Sequence, residues 1–158
     1  IYILLYTLYG IPSIYYGSEF AIEGKKESGS DWGLRPCLEL DDFKDAYENN
    51  AITKLCMQLG KLKKDYTELS AGRYEELLLT NRQFAYSRNY DGKVIVIALN
   101  NDDNEAELTI NPHAACNEAK IILDGSVEEK NESVDCRVEN GNVIVKLPAN
   151  YGTIIELS

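Results

Sequence analysis

Histidine, tryptophan and methionine occur once each in this 158-residue chain, and no two of its four cysteines stand in C-x-x-C spacing. His113 is remote in sequence from Cys37, Cys56, Cys116 and Cys136, so the ligand spacing of a zinc site is missing. The same histidine has no serine or cysteine partner at a recognisable spacing, and it reads as a surface residue in a turn after Pro112. The pattern predicts no metal site and no cofactor. Basic residues are also in short supply: 16 Lys and Arg stand against 26 Asp and Glu, a net charge of −10. A surface this acidic repels phosphate backbones and anionic lipid, which argues against nucleic acid or a membrane as partner. The apolar opening, residues 1–9, is too short to span a bilayer and lacks the basic flank of a signal peptide. There is no internal repeat and no low-complexity stretch.

What is present is ordinary globular composition, 44% hydrophobic and 27% charged, enough for one domain or a small domain with an appendage. Cys56 falls in a helical pattern and Cys136 in a strand. Both read as buried, reduced thiols, which fits a cytoplasmic protein; a Cys116–Cys136 bridge is the alternative. The chain opens without Met inside an apolar run, as a fragment of a longer protein would.

The periodicity divides the chain near residue 71. Residues 1–9 are apolar on every side and end at Gly10, which suits the buried end of a helix. Residues 11–16 read as a short, fully buried strand, with Tyr15 and Tyr16 alternating across it. A long glycine- and charge-rich loop follows over 19–42, with Asp41-Asp42 as a possible cap for the next element. Ile52, Leu55, Cys56, Leu59 and Leu62 recur at threes and fours, so 46–64 is predicted helical, with Lys61, Lys63 and Lys64 complementing its C-terminal dipole. Beyond residue 72 short strands alternate with turns: 74–80, 83–90, 93–100, 106–110, 120–123, 133–139, 142–147 and 151–157. Asp91-Gly92 is the strongest hairpin signal. The run from Val94 to Leu99 is apolar on both faces, so its strand should be central and covered on both sides. The fold class expected is mainly β: an antiparallel β-sandwich of about eight short strands, residues 72–158, preceded by a helix–strand–loop–helix unit, residues 1–71.

The segment Gly10-Ile11-Pro12-Ser13-Ile14-Tyr15-Tyr16-Gly17-Ser18-Glu19 carries the most specific pattern in the chain. An apolar run bracketed by glycines and closed by a carboxylate is how a (β/α)8 barrel brings polar groups to its active face. It resembles the last barrel strand of the α-amylase family of glycoside hydrolases, G-x-P-x-x-Y-Y-G-x-E. Ser30-Asp31-Trp32-Gly33-Leu34-Arg35-Pro36 is similar to that family's following loop, an acidic residue followed by Arg and Pro. Many relatives have Asp before the Glu, where this chain has Ser18. The resemblance implies residues 1–71 as the last strand and helices of a barrel, and residues 72–158 as the C-terminal β-domain called domain C. It also implies a parent enzyme that acts on α-glucan or maltooligosaccharide through a carboxylate nucleophile and a carboxylic acid. In the family's order those carboxylates precede the position of Ile1, so no catalytic residue is carried over.

The carboxylate pairs within the chain, Glu75-Glu76, Asp102-Asp103 and Glu128-Glu129, are adjacent in sequence. Neighbouring strand residues point to opposite faces and cannot flank one bond, so these read as solvated surface. Three residues remain as candidates for sugar contact. Glu19 closes the motif; its alternatives are an ion pair or a loop cap. Trp32 can stack on a sugar ring, or can be tucked under its own loop. Arg35 offers a rigid donor fork for hydroxyls, or can hold the loop together. A binding module that takes up α-glucan by itself is the competing reading, although Tyr74, Phe84, Tyr86, Tyr90 and Tyr151 form no obvious planar row. Unpaired apolar surface over residues 1–20 is expected either to mediate self-association or to dock on the β-domain.

Overall fold

From residue 73 onward short runs rich in β-branched and aromatic residues are divided by turn residues, the condition for a set of short strands. The computed structural model, which describes residues 1–125 and 134–158, forms eight strands there: β1 (Arg73–Leu79), β2 (Gln83–Tyr90), β3 (Lys93–Asn100), β4 (Ala106–Ile110), β5 (Ala119–Asp124), β6 (Asp135–Glu139), β7 (Asn142–Leu147) and β8 (Tyr151–Leu157). All are antiparallel to their neighbours. One sheet runs β1-β2-β3-β8-β5 and the other β4-β7-β6. Asp91 and Gly92 both take positive φ, 51° and 78°, which closes β2 onto β3 with Tyr90 opposite Lys93. That is the two-residue turn whose twist matches the strands. Asn140-Gly141 repeats the device between β6 and β7. Ser133, the expected first residue of β6, lies outside the described residues.

Two apolar layers meet at β3. Val94, Val96 and Ala98 face the second sheet, against Leu108, Val143, Val145 and Leu147. Ile95 and Ile97 face the other way, with Tyr86 and Ile154, against a layer of helices. Both faces are fully packed, as the unbroken apolar run requires. Each Val or Ile so covered contributes about 1.5–3 kcal/mol.

The helices are α1 (Tyr2–Thr7), α2 (Ala46–Asn49), α3 (Ala51–Asp65) and α4 (Thr67–Ala71). α3 presents Leu55 and Leu59 to the five-stranded sheet, and α1 and α4 add Ile3 and Leu69 to the same layer. The expected single helix over 46–64 is broken at Asn50, whose extended backbone ends α2 and whose side-chain oxygen accepts a hydrogen bond from the Thr53 amide at 3.0 Å. Asn50 is therefore the cap of α3, and Asp41-Asp42 lie instead inside a 3₁₀ turn, Leu40–Phe43. Residues 1–9 are not buried all round: Ile3 and Thr7 are covered, while Ile1 and Tyr9 are exposed. α1 is docked on the sheet.

The expected strand at 11–16 is absent. These residues form coil and a turn, Ile11 is 94% exposed, and Tyr15 packs on Tyr16 with ring centroids 5.3 Å apart instead of alternating with it. A strand persists only if another strand takes its backbone hydrogen bonds. No described strand of the chain runs alongside this segment.

The helical layer is fastened to the sheet by Arg88, which is fully buried. Its Nε and Nη2 donate to the Gly72 carbonyl at 3.1 and 2.9 Å, and Nη1 donates to the Thr7 carbonyl at 2.6 Å. Those carbonyls close α4 and α1, where the helix dipoles are negative. The Tyr9 ring lies under the guanidinium at 4.4 Å. Beside it Thr7 Oγ1 donates to the Ile3 carbonyl, so Tyr86 donates its hydroxyl proton to Thr7 Oγ1 at 2.5 Å.

Arg88→Met should lower the free energy of unfolding by about 3 kcal/mol, because two buried carbonyls lose charged donors; Arg88→Lys should recover only part of it. Urea unfolding at neutral pH measures both, and a Met variant as stable as wild type would contradict the clasp. Burial, offset in part by the nearby Arg88 charge, pushes the Tyr86 hydroxyl up to about 12. Unfolded tyrosine ionises near pH 10, so the unfolded state sheds a proton that the native state keeps. The stability that Tyr86 contributes is thus complete below pH 10 and lost as pH rises from 10 to 12. Tyr86→Phe should flatten that decline in alkaline denaturation curves, and an unchanged slope would contradict the assignment.

Candidate functional site

The long loop folds back on itself before α2. Two glycines allow this: a Cβ on Gly33 would lie 2.3 Å from the Lys25 carbonyl oxygen, and one on Gly24 would lie 2.9 Å from that of Gly33. The crossing supports a 3₁₀ turn, Trp32–Leu34, whose first amide is bonded to Ser30 Oγ at 3.2 Å. Lys26 pairs with Asp31 at 3.3 Å on its outer side. A second 3₁₀ turn, Ser18–Phe20, faces it, flanked by Gly17 and Ala21, both in the left-handed region. Tyr16 joins the two parts by donating its hydroxyl to the Pro36 carbonyl at 3.1 Å. Phe20 stacks on Phe43 with centroids 4.4 Å apart.

Between the turns lies a pocket of about 530 Å³ with mostly apolar walls, and Glu19, Trp32 and Arg35 all line it. Trp32 is 82% exposed. It is not tucked under its loop, because the glycine crossing fills the space beneath the turn with backbone. No hydrogen bond or ion pair occupies the Arg35 side chain among the described residues, so Arg35 does not hold the loop. Its guanidinium is free to meet a ligand. Glu19 has neither an ion-pair partner nor a capping bond on its carboxylate; Oε2 is buried without a partner among the described residues. Its charge adds to burial in raising the thiol of Cys56 and the hydroxyls of Tyr2 and Tyr6, which lie on the inner side of the same turn. An aromatic face, a donor fork and a carboxylate around an apolar hollow suit a neutral polyhydroxylated ligand: ring stacking supplies contact area and the polar pair supplies direction.

Tyr16, Cys37, Asn50 and Thr53 complete the frame, and none of them is among the residues expected from the sequence to contact sugar. Only Tyr16 had a signal, its place in the glycine-bracketed motif. Asn50 and Thr53 fall inside the helix expected over 46–64 and carry no signal of their own.

Elsewhere several of the ionisable groups are engaged in surface contacts. His113 Nδ1 meets Glu75 Oε1 at 2.8 Å on the surface, tying the loop after β4 to β1. Asp102 accepts from Asn104, and Asp103 from Asn150. Glu128-Glu129 lie outside the described residues. All four cysteines are free, so Cys116 and Cys136 are not bridged; burial pushes the Cys136 thiol up to about 11, far from a reactive thiolate. Among the described residues no group of three or more His, Cys, Asp or Glu could hold a metal ion, and no helix is long and apolar enough to cross a membrane. A second hollow of about 630 Å³ runs between α1 and the ends of β2, β3 and β8. Two of its polar groups serve the fold: the Asn100 amide donates to the Asn104 and Pro148 carbonyls, and Tyr151 bonds Asp124. Tyr74, Phe84 and Tyr86 contact one another beneath the helices and offer no exposed platform.

No family model matches the chain. It is similar to a cyclomaltodextrinase of Thermoanaerobacter pseudethanolicus, 30% identical over 106 residues, which is 67% of this chain and 17% of that protein. A cyclomaltodextrinase of a Bacillus species is 32% identical over 99 residues, 61% of this chain and 16% of that protein. The chain thus spans less than a fifth of the length of these curated relatives. Among solved structures, an Anoxybacillus α-amylase superposes with a TM-score of 0.79 at 23% identity, over 99% of this chain and 31% of that one. At that identity the superposition establishes the fold, a β-sandwich preceded by helices, and the sequence matches carry the kinship. The chain belongs to the α-amylase family of glycoside hydrolases and corresponds to a C-terminal part of its members.

Proposed function

We propose that the chain is the C-terminal portion of an α-glucan-acting glycoside hydrolase, with residues 1–71 completing the barrel and residues 72–158 forming the β-domain. Its own role is structural and non-catalytic, with one contact to α-glucan or maltooligosaccharide at Glu19, Trp32 and Arg35. The observation that carries this reading is the open Trp32 ring beside the unpaired Arg35 fork in one pocket, in a chain similar to two cyclomaltodextrinases. The indole would stack on a pyranose ring, Arg35 would donate to its hydroxyls and Glu19 would accept from them. An autonomous binding module gains nothing from Tyr74, Phe84 and Tyr86, which are spent on packing under the helices. Free thiols accord with a cytoplasmic setting.

The chain alone is expected to leave starch and maltoheptaose uncleaved; measurable hydrolysis would overturn the non-catalytic assignment. Maltoheptaose should produce saturable NMR shifts at the Trp32 indole, and Trp32→Ala should weaken binding about tenfold. No shift at millimolar sugar would overturn the contact. Self-association through residues 1–20 belongs to the same reading, since Tyr9, Ile11, Tyr15 and Tyr16 stay exposed although α1 is docked. Sedimentation should show a concentration-dependent dimer that Tyr15→Ser with Tyr16→Ser weakens; a monomer at all concentrations would contradict it.

A further inference from the structure

The turn Ser18–Phe20 is built against its own backbone preference. Gly17 at φ 84° precedes it, and Ala21 follows in the left-handed region at φ 59° and ψ 35°, where a side chain is strained. The turn's own hydrogen bonds are few: Phe20 and Ile22 amides to the Gly17 carbonyl, and Ala21 to Ser18. A strained turn persists only where its surroundings over-determine it.

Those surroundings are the first turn of α3. Thr53 Oγ1 donates to the Glu19 carbonyl at 2.6 Å. Asn50 Nδ2 donates to the Phe20 carbonyl at 2.9 Å while its Oδ1 accepts from the Thr53 amide at 3.0 Å. Asn50 therefore caps its helix with one end of the amide and grips the pocket with the other. Tyr2 adds a third bond, from its hydroxyl to the Ser18 carbonyl at 2.7 Å. Successive carbonyls of one short turn are thus held by side chains from α1 and α3. α3 in turn is held by Leu55 and Leu59 in the core against the sheet. The last link reaches Glu19, whose carboxylate oxygen Oε2 is buried with no partner among the described residues, so its position is set by its backbone.

We propose that Asn50 and Thr53 are positioning residues for the pocket: they hold the Glu19–Phe20 backbone in its strained turn, and so the α3 helix sets the pocket's affinity for sugar. This rests on the glucan reading above. Asn50→Asp separates the two duties of the residue, since aspartate caps a helix as well as asparagine does but cannot donate to the Phe20 carbonyl. Thr53→Val removes the hydroxyl at nearly constant shape, and Thr53→Ser restores it.

The test is maltoheptaose titration of the full chain by NMR, with wild type, Asn50→Asp, Thr53→Val and Thr53→Ser each held well below its unfolding midpoint. Asn50→Asp and Thr53→Val should each weaken binding about fivefold, the worth of one hydrogen bond. Both should shift the amides of residues 18–22 before sugar is added, and Thr53→Ser should bind like wild type. A purely structural role would lower the unfolding midpoint without changing the affinity of the folded protein. Wild-type affinity in both Asn50→Asp and Thr53→Val, with the wild type binding normally, overturns the positioning role alone. Absence of any saturable shift in the wild type overturns the glucan reading and this proposal together.

Discussion

A guanidinium buried without a carboxylate is the constraint on which the remainder of the structure depends. Arg88 is fully covered, and its charge is answered by the carbonyls that close α1 and α4 and by the Tyr9 ring. Burial disfavours the charged form and draws its pKa down from the ordinary arginine value, although arginine stays protonated. Such a group is tolerable only while both helix ends remain in place. If either left, a charge and a carbonyl would be stranded in an apolar layer, at a cost of several kcal/mol. The helices and the sheet are therefore bound together by the penalty for separating them as much as by the apolar contacts of Ile3, Leu59 and Leu69.

From that clasp a chain of contacts runs to the surface. The sandwich core fixes β3, the helix-facing side of the same sheet fixes α3, and the first turn of α3 holds the backbone that carries Glu19. Trp32 and Arg35 arrive from a separate loop, shaped by the close crossing at Gly33 and joined by the Tyr16–Pro36 bond. The pocket is thus rigid on its Glu19 side and rests on a self-supporting loop on its Trp32 side. That division suits a contact in which a fixed carboxylate meets a ligand that an exposed ring can follow.

The strands of the β-sandwich were legible in the sequence to within a residue at every end except the start of β6, expected at 133 and found at Asp135, because two-residue alternation and the Asp91-Gly92 and Asn140-Gly141 turns determine register locally. The double covering of β3 could be read from its unbroken apolar run. Arg88 could not: in a pattern of Phe84, Tyr86 and Arg88 an arginine suggests the exposed end of a face, and only the position of two helix termini in space makes burial possible. The strand expected at 11–16 failed for a related reason, since apolar composition says nothing of which strand takes the backbone hydrogen bonds. At the pocket, Glu19, Trp32 and Arg35 could be picked out by residue type and motif. Asn50 and Thr53 could not, because their contribution lies in side-chain bonds to a backbone 30 and 34 residues away.

The central claim is that helices and sandwich form one cooperative unit. Native-state amide hydrogen exchange addresses it directly, by comparing the Leu5 and Leu8 amides of α1 and its cap with those of Ile95 and Ile97 in β3. If the clasp holds, the α1 amides should exchange through the same global opening as β3, with the same opening free energy and denaturant dependence. Exchange of α1 by a separate opening several kcal/mol lower, with β3 still protected, would show that the helical layer detaches on its own and would contradict it.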